Sequence, residues 1–387
     1  MARSYLDHAA TTPMIPEAIE AMAAELGRTG NASSLHGSGR AARRVVEEAR
    51  ESIAGQVGAH PTELIFTSGG TESDNLAVKG GYWSQAERGR TEIVTSAVEH
   101  HAVLDSVGWL AAAAGATACQ LPVDAIGRVE MAALDSAVTP GTAVVSVMWA
   151  NNEIGTLQPV AEVAERAAEY GALSHSDAVQ AVGHVAFDFR RSGLDLASFT
   201  AHKLGGPYGV GALLARREIR LIAVLHGGGQ ERDVRSGTLD VAAVAGFAAA
   251  VQVAVRRREQ EEDRLRDLRA QLVGSVIGCV PHAVLYGTTD PAGSLPGVTT
   301  LGFPGCQAES LLLLLDAAGI DCSTGSACSA GVTEPSHVLS AVGASPVQAR
   351  AALRFSLGHT STQADVTALV AALPEAVRRA RAAAAYA

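Results

Sequence analysis

The sequence predicts an α/β fold with a large, mainly parallel sheet and a smaller C-terminal α+β unit. Short β-branched runs alternate with amphipathic runs through the central two-thirds of the chain, which is typical of a parallel sheet covered by helices on both faces. The chain has 387 residues, enough for about two domains and a sizeable core. A long, charge-laced segment from about 240 to 273 predicts a helix that connects the two units.

The strands and helices follow from hydrophobic periodicity. Runs rich in β-branched and apolar residues predict strands at 63–68, 92–96, 142–148, 172–177, 196–202 and 209–215. Apolar residues at helical spacing predict helices over 38–57, 71–81, 99–114 and 159–170. We place the domain boundary near residue 260, which gives a large α/β domain over 15–260 and a small domain over 261–387, with which residues 1–14 can pack.

Composition excludes several classes of protein. Hydrophobic residues make up 48% of the chain and charged residues 18%, which indicates a globular protein, and the formal net charge of −10 argues against direct nucleic-acid binding through a basic surface. No apolar run approaches the roughly 20 residues of a membrane span, and the N-terminus lacks an apolar signal core. The odd number of cysteines, 5, argues against a disulfide framework. We therefore expect a cytoplasmic protein without a membrane anchor.

Two segments place small or acidic residues where predicted strands end, the edge at which open α/β sheets bind ligands. In "FTSGGTESDNLAV" (66–78), Gly69, Gly70 and Thr71 precede a helix, where backbone N–H groups can bind an anion; a simple threonine helix cap is the alternative. In "SHSDAVQAVGH" (174–184), Asp177 ends a strand and Gln180 follows it. This carboxylate can hold a cationic ring nitrogen, or it can cap a helix.

Lys203 follows His202 at the end of another strand, in "SFTAHKLGGPYGVG" (198–211). A desolvated lysine has a lowered pKa and reacts with carbonyl groups, whereas a surface lysine is the more common case. The tight glycine and proline turn that follows favours the reactive alternative. A phosphate, an aldehyde for the lysine and a pyridinium nitrogen for the carboxylate together describe one ligand, pyridoxal 5'-phosphate.

Cys328 lies among small residues in "DCSTGSACSAG" (321–331), a composition that predicts a mobile, exposed segment. A reactive thiol needs such access, while an inert apolar side chain is the alternative. Cys322 borders the same segment, and we interpret it as structural because it ends a short predicted strand. Adjacent histidines His100 and His101 do not indicate a metal, since neighbours on a helix do not face one ligand position.

Eleven motifs resemble, in order along nearly the whole chain, those of cysteine desulfurases of the NifS/IscS type in the class-V aminotransferase family. They are "YLDHAATTP", "GNASSLHGSGR", "FTSGGTESDNLAVKG", "VEHHAVL", "WANNEIG", "HSDAVQAVG", "AHKLGGPYGVGAL", "HGGGQERDVRSGTL", "STGSACSAG", "EPSHVL" and "LRFSLG". The resemblance implies a pyridoxal-phosphate-dependent transferase of fold type I. It also implies conversion of L-cysteine to L-alanine, with the sulfur transferred to Cys328 as a persulfide.

The resemblance also implies a role for individual residues. Lys203 would bond to the cofactor aldehyde, Asp177 would pair with the ring nitrogen, and His100 would stack on the ring and move protons. Arg354 would hold the substrate carboxylate. The remaining implied contacts are Gln180 and Asn152 at the ring hydroxyl, Asn152 also at the substrate, Gly70, Thr71, Thr200 and His202 at the phosphate, and Thr238 at the phosphate of a partner subunit.

Those roles imply a homodimer with shared sites and a sulfur-acceptor protein, either an iron–sulfur scaffold or a tRNA-thiolation protein. Two alternatives remain at this stage. Another pyridoxal-phosphate enzyme, such as an aminotransferase or a selenocysteine lyase, would not need the thiol of Cys328, or would use it differently. A non-catalytic scaffold would be expected to lack Lys203 or Cys328, and the sequence contains both.

Overall fold

The computed structural model describes residues 3–325 and 335–384. Within these residues the strands are β1 (Ser4–Tyr5), β2 (Leu64–Thr67), β3 (Glu92–Ser96), β4 (Thr117–Leu121), β5 (Thr142–Ser146), β6 (Leu173–Asp177), β7 (Leu196–Thr200), β8 (Gly211–Ala215), β9 (Val284–Tyr286), β10 (Val298–Gly302), β11 (Ile320–Asp321) and β12 (Ala352–Ser356).

The helices of the described residues cover both faces of the large sheet and surround the smaller one. They are α1 (Pro16–Leu26), α2 (Gly37–Gln56), α3 (Gly70–Asn75), α4 (Gly81–Ala86), α5 (His101–Ala113), α6 (Met131–Ala137), α7 (Val160–Tyr170), α8 (Phe189–Ser192), α9 (Val241–Cys279), α10 (Ala308–Ala317), α11 (His337–Ala341), α12 (Pro346–Ala349) and α13 (Gln363–Ala384). None of these helices is long and apolar enough to cross a bilayer.

The large sheet has seven strands in the order β2-β8-β7-β6-β5-β3-β4. The pairs from β7 to β4 are parallel, and only β8 runs against its neighbours. The mainly parallel sheet and its six predicted strands are therefore confirmed. The edge strand β4 was not predicted, because its sequence "TACQL" lacks β-branched alternation and four of its residues are exposed.

The helix predicted over 71–81 begins at Gly70 and continues further than expected. A π-helical turn, Leu76–Gly80, joins α3 to α4. A side chain at Gly80 would place its Cβ 2.6 Å from the carbonyl oxygen of Ile222, so glycine permits this close approach. The turn keeps α3 and α4 packed on the sheet, and the start of α3 stays at the end of β2.

Helix α9 contributes to two hydrophobic cores. Its first half, to Val253, packs in the core of the large sheet, and its second half, from Leu265, packs with the antiparallel sheet β12-β10-β9. The predicted boundary at residue 260 lies between these halves and stays a prediction. At the other end of the chain, β1 pairs in parallel with β11, and Leu6 is buried in the second core.

Candidate active site

A cavity of about 410 Å³ lies where the carboxyl ends of β5, β6 and β7 face β12. Its volume is in the range of roughly 300–1,000 Å³ typical of small-ligand sites. Ten of the twelve predicted site residues line it: Gly70, Thr71, His100, Asn152, Asp177, Gln180, Thr200, His202, Lys203 and Arg354. Thr238 is exposed and does not line it. Cys328 lies outside the described residues.

Small residues form the narrow end of the cavity at the start of α3. A Cβ on Gly70 would lie 2.8 Å from a methyl carbon of Val179, so the backbone packs this closely against Val179 because residue 70 is glycine. The hydroxyl of Thr200 donates to the carbonyl oxygen of Val210, 3.1 Å away. Burial, together with the charge of Lys203, lowers the pKa of His202 to about 4. This imidazole is therefore neutral near pH 7.

Asp177 projects from the end of β6 into the floor of the cavity. One of its oxygens accepts a hydrogen bond from the backbone N–H of Val179 at 2.9 Å. One polar atom each of Asp74, His100 and Asp177 lies within 4.8 Å of the others. Burial raises the pKa of Asp177, whereas His100 and Lys203 favour its ionised form.

Asp74 is a second fully buried carboxyl group in this floor. Burial and the neighbouring Asp177 raise its pKa well above the ordinary value. Two negative charges about 5 Å apart repel by about 3 kcal/mol at an effective dielectric constant of about 20. The two carboxylates therefore cannot both be ionised at low cost, and His100 and Lys203 favour the ionised form at Asp177.

A polar layer beneath Asp177 fixes the end of β6, and the sequence analysis missed it. His175 is buried between hydroxyl groups, 2.8 Å from that of Ser146 and 3.0 Å from that of Ser198. Burial lowers its pKa to about 3, so the ring is neutral. Its position two residues before Asp177 was the available signal, because alternate residues of a strand share a face.

Glu99 extends the same buried layer toward the helix that carries His100. It accepts hydrogen bonds from the hydroxyl of Ser96 and from the backbone N–H of Met148, the latter at 2.8 Å. Burial raises the pKa of Glu99 to about 8. A neutral acid at this position avoids adding a further negative charge beside Asp177.

Lys203 reaches across the cavity to the N-terminal segment. Its Nζ donates to the carbonyl oxygens of Ala9 and Ala10 at 2.5 and 2.6 Å, and Gln180 donates to the same oxygen of Ala9 at 2.9 Å. Burial, with the nearby positive charge of Arg354, lowers the pKa of Lys203 to about 8. A significant fraction of the amine is thus unprotonated near neutral pH, as a nucleophile or base requires.

Arg354 projects from β12 and is 4% exposed. Its Nη2 donates to a carboxylate oxygen of Asp7 at 2.8 Å, and its Nη1 donates to the carbonyl oxygen of Asn152 at 3.0 Å. Its Nε is buried and has no hydrogen-bond partner among the residues that the structure describes. A planar cation with an unused donor is suited to a further carboxylate.

Cys322 follows β11, and its surroundings do not favour a nucleophilic thiolate. Burial, with nearby Asp7 and Asp321, raises the pKa of its thiol to about 12. The thiolate is the reactive form of cysteine, and this environment disfavours it.

Comparisons with known proteins agree with the fold. A model of the family described as "Aminotransferase class-V" matches residues 4–369. The chain therefore belongs to the class-V aminotransferase family.

Proteins similar to the chain in sequence and structure indicate the subgroup of that family. The chain is 57% identical over 385 residues, 98% of each chain, to an "IscS-like cysteine desulfurase" of Mycobacterium tuberculosis. A solved structure described as a NifS-like protein is 33% identical, with a TM-score of 0.88 over 100% of both chains. A structure described as SspA in complex with cysteine is 30% identical, with a TM-score of 0.79 over 93% of this chain and 100% of that one. Within the family, the chain groups with the NifS- and IscS-like proteins.

Proposed function

We propose that the protein is a pyridoxal-phosphate-dependent cysteine desulfurase, which takes sulfur from L-cysteine and releases L-alanine. The observation that carries this proposal is the single cavity that contains Lys203, Asp177 and Arg354. The lysine has a lowered pKa, which suits exchange with the amine of the substrate. The buried carboxylate suits a protonated ring nitrogen, and the buried arginine suits the carboxylate of an amino acid. The similarity to proteins named cysteine desulfurases supports the choice of substrate.

The residues present fit pyridoxal phosphate. Gly70 and Thr71 at the start of α3 line the same cavity as Thr200 and His202, and together these residues would bind the phosphate. Asp177 would hold the protonated ring nitrogen, Gln180 and Asn152 would contact the ring hydroxyl, and His100 would cover the ring. When bound, the cofactor would supply an electron sink for the electrons of the bond broken at the substrate Cα.

The side chains of this chain would position the substrate and move its protons. Arg354 would bind the α-carboxylate and so orient the Cα–H bond. The amine of Lys203, with its pKa near 8, would take the α-proton and return a proton to Cα after the C–S bond has broken. The carbon that becomes the methyl group of alanine would gain one of the two thiol protons, and the other would stay on the persulfide. Desolvation lowers the pKa of His100, which therefore can accept a proton from the substrate amine or thiol.

The sulfur would pass to Cys328. Its thiolate would attack the substrate sulfur, the C–S bond would break, and the products would be L-alanine and a persulfide on Cys328. The atoms balance without an added oxidant, because the persulfide gains the sulfur that alanine lacks relative to cysteine. An acceptor protein, either an iron–sulfur scaffold or a tRNA-thiolation protein, would then receive the sulfur.

A homodimer and a cytoplasmic location belong to the same proposal. Thr238 is exposed and does not line its own cavity, as expected of a residue that reaches a partner's site. Leu225, which pairs with Arg235 in the segment before Thr238, is 47% exposed. The cysteines among the described residues are unpaired. A reducing compartment would keep them so, and would also keep the transferring thiol active.

Two variants test the proposal. Lys203→Ala is expected to abolish both sulfide and alanine formation from L-cysteine. Cys328→Ser is expected to retain bound cofactor, seen by its visible absorbance, but to release no sulfide. Lys79→Ala, which changes a lysine outside the cavity lining, serves as the control and keeps activity. Full desulfurase activity in Cys328→Ser would contradict the proposal, and transamination of cysteine or alanine would favour an aminotransferase.

A further inference from the structure

The N-terminal segment Tyr5–Thr12 runs between the two cores and touches both sides of the cavity. Leu6 is buried in the core around β12, and Ala9 is buried in the core of the large sheet. The backbone N–H of Ser356 donates to the carbonyl oxygen of Leu6 at 2.8 Å, and its hydroxyl accepts from the N–H of Ala9 at 2.8 Å. The segment is thus fixed to the strand that carries Arg354.

This segment holds the side chains that the proposed function uses for the amine and the carboxylate of its substrate. Its carbonyl oxygens at Ala9 and Ala10 bind Lys203, and its Asp7 carboxylate binds Arg354. Asp7 is separated from Arg354 by 347 positions in the sequence. The hydroxyl of Tyr5 donates to the carbonyl oxygens of Asp7 and Thr11, which fixes the turn between them.

The contact between Asp7 and Arg354 leaves the arginine able to bind a second carboxylate. A guanidinium has five N–H donors. Asp7 binds Nη2 through one oxygen and the carbonyl of Asn152 binds Nη1, while the buried Nε has no partner among the described residues. Nε is fully buried and does not face the cavity, so the donors that remain for a ligand are one N–H on Nη1 and one on Nη2. These two are enough for the parallel hydrogen bonds of a bidentate carboxylate.

We propose that Asp7 is the positioning residue for Arg354: it holds the guanidinium with its free N–H donors toward the cavity and so sets the selectivity for substrates with an α-carboxylate. This inference rests on the proposed function for the identity of the substrate. Without Asp7, the 4%-exposed arginine would have no carboxylate beside it, and the side chain would turn toward other acceptors. Removal of Asp7 would therefore weaken the binding of the substrate carboxylate and leave the binding of the substrate amine unchanged.

The test compares L-alanine with L-alaninamide, which differ at the carboxylate and share the amine and side chain. Dissociation constants are measured by calorimetry on the cofactor-loaded protein for the wild type, Asp7→Ala, Asp7→Asn and the control Asp321→Asn. Asp321 is a partly exposed carboxylate that pairs with Arg3 at the surface.

For Asp7→Ala we expect L-alanine to bind at least about tenfold more weakly, because the guanidinium that would bind its carboxylate is no longer held in place. L-Alaninamide should bind within about twofold of the wild type. Asp7→Asn keeps an oxygen acceptor but loses the negative charge, so it should weaken L-alanine measurably but less than Asp7→Ala does, while Asp321→Asn should change neither ligand. The KM for L-cysteine should rise in parallel with the dissociation constant of L-alanine, and kcat should stay nearly unchanged.

Equal weakening of both ligands, or of neither, in Asp7→Ala would overturn the assignment. If Asp7→Ala does not fold, Asp7→Asn decides alone, because loss of the charge should weaken L-alanine measurably and leave L-alaninamide unchanged. Failure of the proposed function is seen separately, as absence of sulfide from the wild type, and does not affect the comparison of the two ligands.

Discussion

Replacing His175 by asparagine tests the account of the buried layer beneath Asp177. His175 is fully buried and neutral, with its pKa lowered from 6.5 to about 3. Its folded-state pKa is below the unfolded value, so the unfolded chain binds one more proton between pH 6.5 and 3, and stability falls as the pH falls through 6.5. The slope is about 1.4 kcal/mol per pH unit, which amounts to about 2 kcal/mol between pH 7 and pH 5.

Asparagine does not titrate, so the free energy of unfolding of the variant lacks the decrease at acid pH that His175 causes in the wild type. The destabilisation caused by His175→Asn should therefore be about 2 kcal/mol smaller at pH 5 than at pH 7. Urea unfolding of the cofactor-free protein at one protein concentration measures both values. Taking the difference between variant and wild type cancels the contribution of Glu99, whose raised pKa acts in the opposite direction. Asp74 lies 3.6 Å from Nε2 of His175 and does not cancel, so the comparison is made with Asp74→Asn in both proteins.

Ser146→Ala is the matched control, because it removes a hydrogen-bond partner of His175 without changing a titratable group. Its cost should be nearly the same at both pH values. An equal cost of His175→Asn at pH 7 and pH 5 would refute the reasoning, since it would mean that His175 binds a proton as readily in the folded protein as in the unfolded chain.

Two further predictions concern the cofactor site. Gly70→Ala should weaken pyridoxal-phosphate binding at least about tenfold, because its Cβ would lie 2.8 Å from Val179 and displace the start of α3. The double variant Gly70→Ala with Val179→Ala should recover part of the lost affinity. An unchanged affinity of Gly70→Ala in a fluorescence titration would contradict the packing argument. A mixed dimer of Lys203→Ala and Thr238→Ala chains should have one site that binds pyridoxal phosphate with wild-type affinity, as expected if each site takes Thr238 from its partner. The affinity of the Thr238→Ala protein at that site would show that the sites are not shared.

The large sheet could be predicted because its strands are short apolar runs with local signals at both ends. Glycine at 69 and 70 and the acid at 177 mark the ends of β2 and β6, and parallel topology brings such ends to one edge. The edge strand β4 could not be predicted, since an edge strand needs no continuous apolar pattern when one side faces solvent.

The side chains that line the candidate site could be predicted where a local motif marks them, and not where distant residues combine. Lys203 and Asp177 are recognisable from their local sequence. The contact of Asp7 with Arg354 depends on pairing between β1 and β11 and between the N-terminal segment and β12, which no local pattern encodes. The protonation of Asp74 likewise depends on burial beside Asp177, which only the packed structure determines.

The central claim, that this cavity removes sulfur from cysteine, is tested most directly by one spectroscopic experiment. The visible absorbance of the purified protein is recorded before and after L-cysteine is added, with sulfide and alanine assayed in the same sample. We predict a cofactor band that shifts on addition, with both products appearing. A band without sulfide would contradict the desulfurase and favour another pyridoxal-phosphate enzyme, and no band even with added pyridoxal phosphate would contradict catalysis altogether.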